Sequence, residues 1–156
     1  GRARKVTFER AGLDVEDRPA ELEGRSVGEA MLTPTRIYVR AVRELMKAYR
    51  SRRVVKAMAH ITGGGLPGNL PRVLPAGLTV RLKRNSWEVP GIFRLIAKAG
   101  PVDQVEMFRV FNMGVGFVLI VAAGYAAPVM ARLRRAGERC WVLGKVVKGG
   151  PALQWS

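Results

Sequence analysis

The chain has 156 residues, 48% hydrophobic and 25% charged. That length suits one domain able to bury roughly two-thirds of its unfolded surface, and the composition excludes a long disordered tract. Lys and Arg number 27 against 12 acids, a net charge of +15, which draws nucleic acid, anionic membrane or phosphorylated metabolites and speaks about partners rather than fold.

Residues 1–25 carry mixed charges, Pro19 and little periodicity beyond a short helical stretch at Lys5 to Ala11, and read as a connector. The opening Gly1-Arg2-Ala3-Arg4-Lys5 has no apolar run behind it, so it is not a secretory leader. With no initiator Met, the chain reads as a fragment or a processed product. From Arg36 an amphipathic helix is expected, with Tyr38, Val42, Leu45, Met46 and Tyr49 on one face and Arg36, Arg40, Arg43, Lys47 and Arg50 on the other. Thr33 or Thr35 can cap it, and Arg40 and Glu44 stand four apart, the spacing of an intrahelical ion pair.

Val54 to Ile61 is β-branched and apolar enough for a strand, and Leu66 to Val73 for a short helix limited by Pro71 and Pro75. Leu78, Val80 and Leu82 alternate with Thr79, Arg81 and Lys83, predicting a strand whose second face is wet. Helices are expected over Gly91 to Ala99 and Val102 to Val110, the latter with Met107 and Phe108 inward. Val115 to Ala122 is continuously apolar, as in a central strand covered on both faces. A helix from Tyr125 to Ala136 and a strand from Arg139 to Val147 follow, with residues 149–156 as a tail. The uncharged run Val110 to Ala131 is long enough to span a membrane, but Asn112, Gly114, Gly116, Gly124 and Pro128 interrupt it and favour a buried strand and helix instead. Four strands alternating with helices predict an α/β (α+β) domain over residues 26–148, with a mixed four-stranded sheet and helices packed on it.

Cys140 is the only cysteine, which excludes an intramolecular disulfide and suits a reducing cytoplasm. It lies in an apolar run with no nearby histidine, the setting of a structural thiol. The basic residues are spread along the chain, without zinc ligands, RNP aromatics or a basic arm, which argues against a nucleic-acid partner.

Three stretches carry chemistry. In His60-Ile61-Thr62-Gly63-Gly64-Gly65 the glycines either make a tight turn or turn their N–H groups toward an anion, with His60 either a polar contact and proton donor or a histidine satisfied by nearby backbone. Thr33, Thr35 and Arg36 are either a helix cap with a surface arginine or an anion contact at a helix start. Asn112-Met113-Gly114-Val115-Gly116 either packs closely or lines a cleft at a strand end. No Walker lysine, carboxylate metal group or Ser-His-Asp set is present.

These stretches, in this order with Asn69-Leu70-Pro71-Arg72 and Ser86-Trp87 between them, resemble the C-terminal domain of the aminoimidazole ribonucleotide synthetases (phosphoribosylformylglycinamidine cyclo-ligases), from about Arg4 to about Val147. The resemblance implies ATP-dependent closure of formylglycinamidine ribonucleotide to aminoimidazole ribonucleotide, a ligase step of purine synthesis releasing ADP and phosphate. It implies that ATP, Mg²⁺ and the homodimer contact belong mainly to a separate N-terminal ATP-binding domain. It also implies that Thr62, Gly63, Gly64 and Gly65 bind phosphate with His60 as a catalytic polar contact, that Thr33, Thr35 and Arg36 assist, and that Asn112 and Gly114 line the cleft. Of the family's Gly-Tyr-Ser-Leu-x-Arg-Lys only Arg4-Lys5 stands here, and Gly68 replaces a usual acid. The competing classes are a basic nucleic-acid-binding module and a non-catalytic regulatory domain on the same fold.

Overall fold

The computed structural model describes residues 16–26, 29, 38–99 and 103–156. Their architecture is α+β, but the strands form two sheets in place of the single four-stranded sheet expected. Strand β1 (Val55–His60) pairs antiparallel with β3 (Phe117–Val121) in a two-stranded ribbon. Strand β2 (Leu78–Leu82) is the middle of a three-stranded sheet, antiparallel to β4 (Gly144–Lys148) and parallel to β5 (Leu153–Trp155). The fifth strand lies where a tail is expected. Three residues after Gly149-Gly150-Pro151 are too short a run to show alternation, yet the Ser156 N–H donates to the Leu82 carbonyl at 2.8 Å and the Arg84 N–H to the Ser156 carbonyl at 3.0 Å.

The main core lies between the ribbon and this sheet. Ala59, Ile61, Leu66, Leu70, Val80, Leu82 and Val115 are all buried there, with Val118 of β3 and Trp155 of β5 packed against them. The ribbon's other face carries Leu119 and Val121, which meet Leu45 of helix α1 (Val39–Ala48) and Val129 of helix α5 (Ala126–Arg135). Both faces of β3 are therefore covered, as its unbroken apolar run requires. It is nevertheless an edge strand: its second edge faces a cleft of about 450 Å³ between the ribbon, β4 and α5.

Helix α1 buries Ala41 and Leu45, one turn apart, while Met46 is 45% exposed and does not join the buried face expected of it. One residue on from Leu45, Met46 is rotated by about 100° and points away from α5. Tyr49 packs edge-on against Tyr125, the ring centroids 5.9 Å apart, and the Arg40 to Glu44 pair forms at 3.2 Å. Thr79 is the other departure. Expected on a wet face, it is 1% exposed because the turn into β5 folds over it, and its hydroxyl donates to the Gly149 carbonyl.

Helix α2 (Gly65–Asn69) and a 3₁₀ turn (Pro71–Val73) fill the place of the expected short helix. Helices α3 (Gly91–Ala99) and α4 (Gln104–Val110) follow, with Ile96 and Met107 in a second cluster around Met113. Asp103 caps α4 by accepting the Glu106 N–H at 2.8 Å, closing the first turn where an orphan donor would otherwise remain. No described helix is long and apolar enough to cross a membrane, and Val110 to Ala131 resolves into the end of α4, a turn, β3 and the start of α5.

The segment before α1 also docks. Leu22, in a 3₁₀ turn (Ala20–Leu22), is 1% exposed, and a methyl group on Gly91 would overlap the Glu21 carbonyl. Glu21 pairs with Lys98 of α3 at 3.0 Å. Its own main-chain N–H and then Lys98 hold the Glu21 carboxyl below its ordinary value. Because the folded value is the lower one, this contribution is complete at neutral pH and is lost as pH falls through the carboxylate range. Gly91→Ala is expected to free residues 20–22 from α3 at all pH values, whereas Glu21→Gln should remove only the acid-sensitive part. Limited proteolysis between Pro19 and Arg25 as a function of pH reads both.

Candidate functional site

Pairing of His60 with Phe117 sets the site, because β1 leaves into the glycine triplet at the same end at which β3 begins. The Ile61 N–H donates to the Gly116 carbonyl at 2.9 Å, extending the ladder one residue beyond β1. His60-Thr62-Gly65 and Asn112-Gly116, 52 residues apart in sequence, thereby become neighbours. Tyr38 lies at the same end, its ring 5.4 Å from that of Phe117, and Gly116 has no room for a side chain against the Tyr38 hydroxyl. Thr33, Thr35 and Arg36 lie outside the described residues, a few positions before Tyr38.

The three glycines differ in what they need. Gly65 has φ +62° and is buried, and a methyl group there would strike the Phe108 carbonyl and sit 2.7 Å from the Phe111 carbonyl at the end of α4. Its requirement is the close approach of α2 to α4. Gly64 has φ +98°, a left-handed conformation that favours glycine. Gly63 has neither reason: its φ is not positive and nothing lies within 4 Å of where its Cβ would stand. Open space beside an exposed main chain is what an approaching ligand needs.

The hydrogen bonds divide the loop in the same way. The Gly65 N–H donates to the Thr62 carbonyl at 3.0 Å. The N–H groups of Thr62, Gly63 and Gly64 donate to no group among the described residues. Beneath them sits Asn69, 7% exposed, whose carboxamide nitrogen reaches the carbonyls of Gly65 at 2.7 Å, Thr62 at 3.4 Å and Gly63 at 3.5 Å. The Thr62 hydroxyl donates to the Asn69 carboxamide oxygen at 3.3 Å. Asn69 opens one of the stretches that carry the resemblance but is not among the residues assigned to the site. Its place at the end of a glycine-rich stretch, one turn after Gly65, is the signal that points to it.

His60 is exposed, its ring centroid 6.2 Å from that of Phe117, and no hydrogen bond joins its ring to another described residue. It flanks the loop rather than supporting it. Asn112 acts on the fold itself, since its side-chain oxygen accepts the Gly114 N–H at 3.0 Å and stabilises a turn in which Met113 has φ +53° and Gly114 φ +91°. Gly114 lies against Pro90, and the Met113 carbonyl accepts the Trp87 indole N–H at 2.9 Å. Trp87 is thus packing and anchor together, since it also packs against the cluster around Met113.

The 450 Å³ cleft starts at this turn and follows β3, with Tyr38, Gly116, Ile120, Leu133 and Trp141 among its walls. Gly114 lines it, whereas His60 and the glycine triplet do not. The presented main chain and the cleft are therefore neighbours on either side of the β1–β3 end, not one hollow. Among the described residues no three of His, Cys, Asp and Glu come together to hold a metal ion. Mg²⁺ does not fit the donors these residues supply.

An α+β domain with a glycine-rich, amide-presenting turn at the end of an antiparallel ribbon defines the class. Residues 5–156 match the family model described as AIR synthase related protein, C-terminal domain, and the chain belongs to that family. Among curated proteins it is 49% identical over 148 residues to the phosphoribosylformylglycinamidine cyclo-ligase of Sorangium cellulosum, covering 95% of this chain and 42% of that protein. It is 48% identical over 151 residues to the protein of that name from Symbiobacterium thermophilum, covering 96% and 42%, and 47% identical over 146 residues to that of Citrifermentans bemidjiense, covering 94% and 40%. The chain thus spans about two-fifths of the length of these relatives.

Substitution separates the glycines. Gly65→Ala is expected to cost about 3 kcal/mol or more, from overpacking against α4 together with the left-handed backbone. Gly63→Ala should stay within about 0.5 kcal/mol of the parent, as at an open surface position. Urea unfolding of the two variants measures the contrast.

Proposed function

We propose that this chain is the C-terminal part of an ATP-dependent cyclo-ligase that converts formylglycinamidine ribonucleotide to aminoimidazole ribonucleotide, releasing ADP and phosphate in purine synthesis. The observation that carries the reading is the main chain at Thr62, Gly63 and Gly64, with unused N–H groups and open space at Gly63, in a chain of this family. Such groups bind phosphate well because their dipoles are fixed and need no reorganisation when the anion arrives. His60, exposed beside the loop, is assigned a polar contact or a proton at the same anion.

The chemistry needs a phosphoryl group from ATP on the formyl oxygen, so that this oxygen can leave when an amidine nitrogen closes the ring. This chain's residues hold and orient a phosphorylated nucleotide for that closure and wall its groove from water, and positioning of this kind supplies several kcal/mol. ATP and Mg²⁺ belong to an N-terminal ATP-binding domain that completes the groove. Carboxylates for the metal are assigned there because the described residues here do not gather them. The same domain forms the homodimer, in a cytoplasmic enzyme. Thr33, Thr35 and Arg36 are assigned to the anion site as secondary contacts.

The purified 156 residues are expected to show no cyclo-ligase turnover, and activity should return when an N-terminal domain of a relative is supplied fused or in trans. In that reconstituted enzyme Gly63→Val should lower kcat/KM at least about tenfold while the melting temperature holds, since a side chain blocks the anion without disturbing the core. ATP-dependent ring closure by the isolated chain would contradict this division of labour.

A further inference from the structure

We infer that Asn69 is the positioning residue that aims the main chain of Gly63 and Gly64 at the bound phosphate. This inference rests on the anion reading above and names the device that makes it work. In a trans peptide unit the C=O of one residue and the N–H of the next point in opposite directions. Asn69 draws the Thr62 carbonyl inward, at 3.4 Å, and the Gly63 carbonyl, at 3.5 Å. The N–H groups on the far side of those two peptide planes belong to Gly63 and Gly64, and they are turned outward as a pair.

The third neighbour, the Gly65 carbonyl at 2.7 Å, fixes where the carboxamide nitrogen sits. Its orientation is determined chemically, because a flipped carboxamide would set its oxygen against three carbonyl oxygens. The Thr62 hydroxyl, donating to the carboxamide oxygen, closes the arrangement. Residues of similar size do not replace it. Aspartate has the shape but offers only acceptors, and leucine has the size but removes the one side-chain donor that these carbonyls share. The side chain itself is buried beneath the loop, so it acts on the ligand through the main chain.

The test follows the amide signals of the ¹⁵N-labelled 156-residue chain, with inorganic phosphate titrated at constant ionic strength. In the parent the Gly63 and Gly64 signals should move saturably while those of β4 and β5 stay still. Asn69→Asp should shift the ligand-free Gly63 and Gly64 signals and weaken phosphate at least tenfold. Thr62→Val, which keeps the three carbonyl contacts, should weaken it two- to fivefold. The signals of β1, β3 and Ile96 should be unchanged in both variants, separating aim from folding. If Asn69→Asp does not fold, Thr62→Val with Asn69→Ser carries the same comparison. Parent-like phosphate affinity in the Asn69 variants would overturn the positioning role and leave the anion reading standing. A parent in which neither glycine signal responds to phosphate would overturn the anion reading, and this inference with it.

Discussion

The antiparallel pairing of β1 with β3 is the constraint on which the site depends. Register His60 to Phe117 fixes which loops meet: a shift by one residue would move Ala59 and Val118 off the core face and carry the glycine triplet away from the Gly116 carbonyl. Two strands alone make a marginal unit in water. This ribbon is held because Ala59 and Val118 enter the main core on one face and Leu119 and Val121 meet α1 and α5 on the other. The packing that gives β3 its apolar run thus also holds the loop ends in place.

From that ribbon end the loop is built by two opposed demands. Gly65 must be small and left-handed so that α2 can lie against α4, which anchors the loop from below. Nothing inside the chain requires Gly63 to be small, and Asn69 commits a buried carboxamide to three carbonyls of one short turn. A buried polar side chain devoted to main-chain carbonyls specifies conformation rather than adding much net stability. The result is a turn in which the N–H groups of Thr62, Gly63 and Gly64 donate to no described residue, in a domain whose relatives are named cyclo-ligases.

How much of this the sequence discloses varies with the range of the interaction. Helix α3 begins and ends where Gly91 to Ala99 predicts, and the Arg40 to Glu44 pair forms, because both depend on neighbours a turn away. The unbroken apolar run of β3 reads as coverage of its faces, which is right, but face coverage carries no information about edges, so its position at an edge is not legible in the run. Thr79 and β5 escape a sequence reading for one reason: each owes its state to the turn at Gly149-Gly150 folding back on β2, a contact about 70 residues distant. In the site, the motif marks the glycines alike and only geometry separates Gly65, fixed by packing, from Gly63, left open. Asn69 stands in a stretch that carries the resemblance, but its bonds to the carbonyls of Thr62, Gly63 and Gly65 are visible only once the loop is seen closing over it. Much of the positive charge is surface, with Arg132 over the Tyr49 ring and Arg52 bonded to the Tyr125 hydroxyl, so +15 is partly absorbed in packing contacts rather than in the site.

The central claim is that main chain after His60 grips a phosphate of the nucleotide substrate. A crystal structure of this chain joined to its N-terminal domain, with formylglycinamidine ribonucleotide bound, tests it most directly. Phosphate oxygens should lie about 2.7–3.2 Å from both the Gly63 and Gly64 nitrogens, with Asn69 still beneath them. A bound nucleotide whose phosphates rest entirely on other residues, with these two N–H groups facing solvent, would contradict the account.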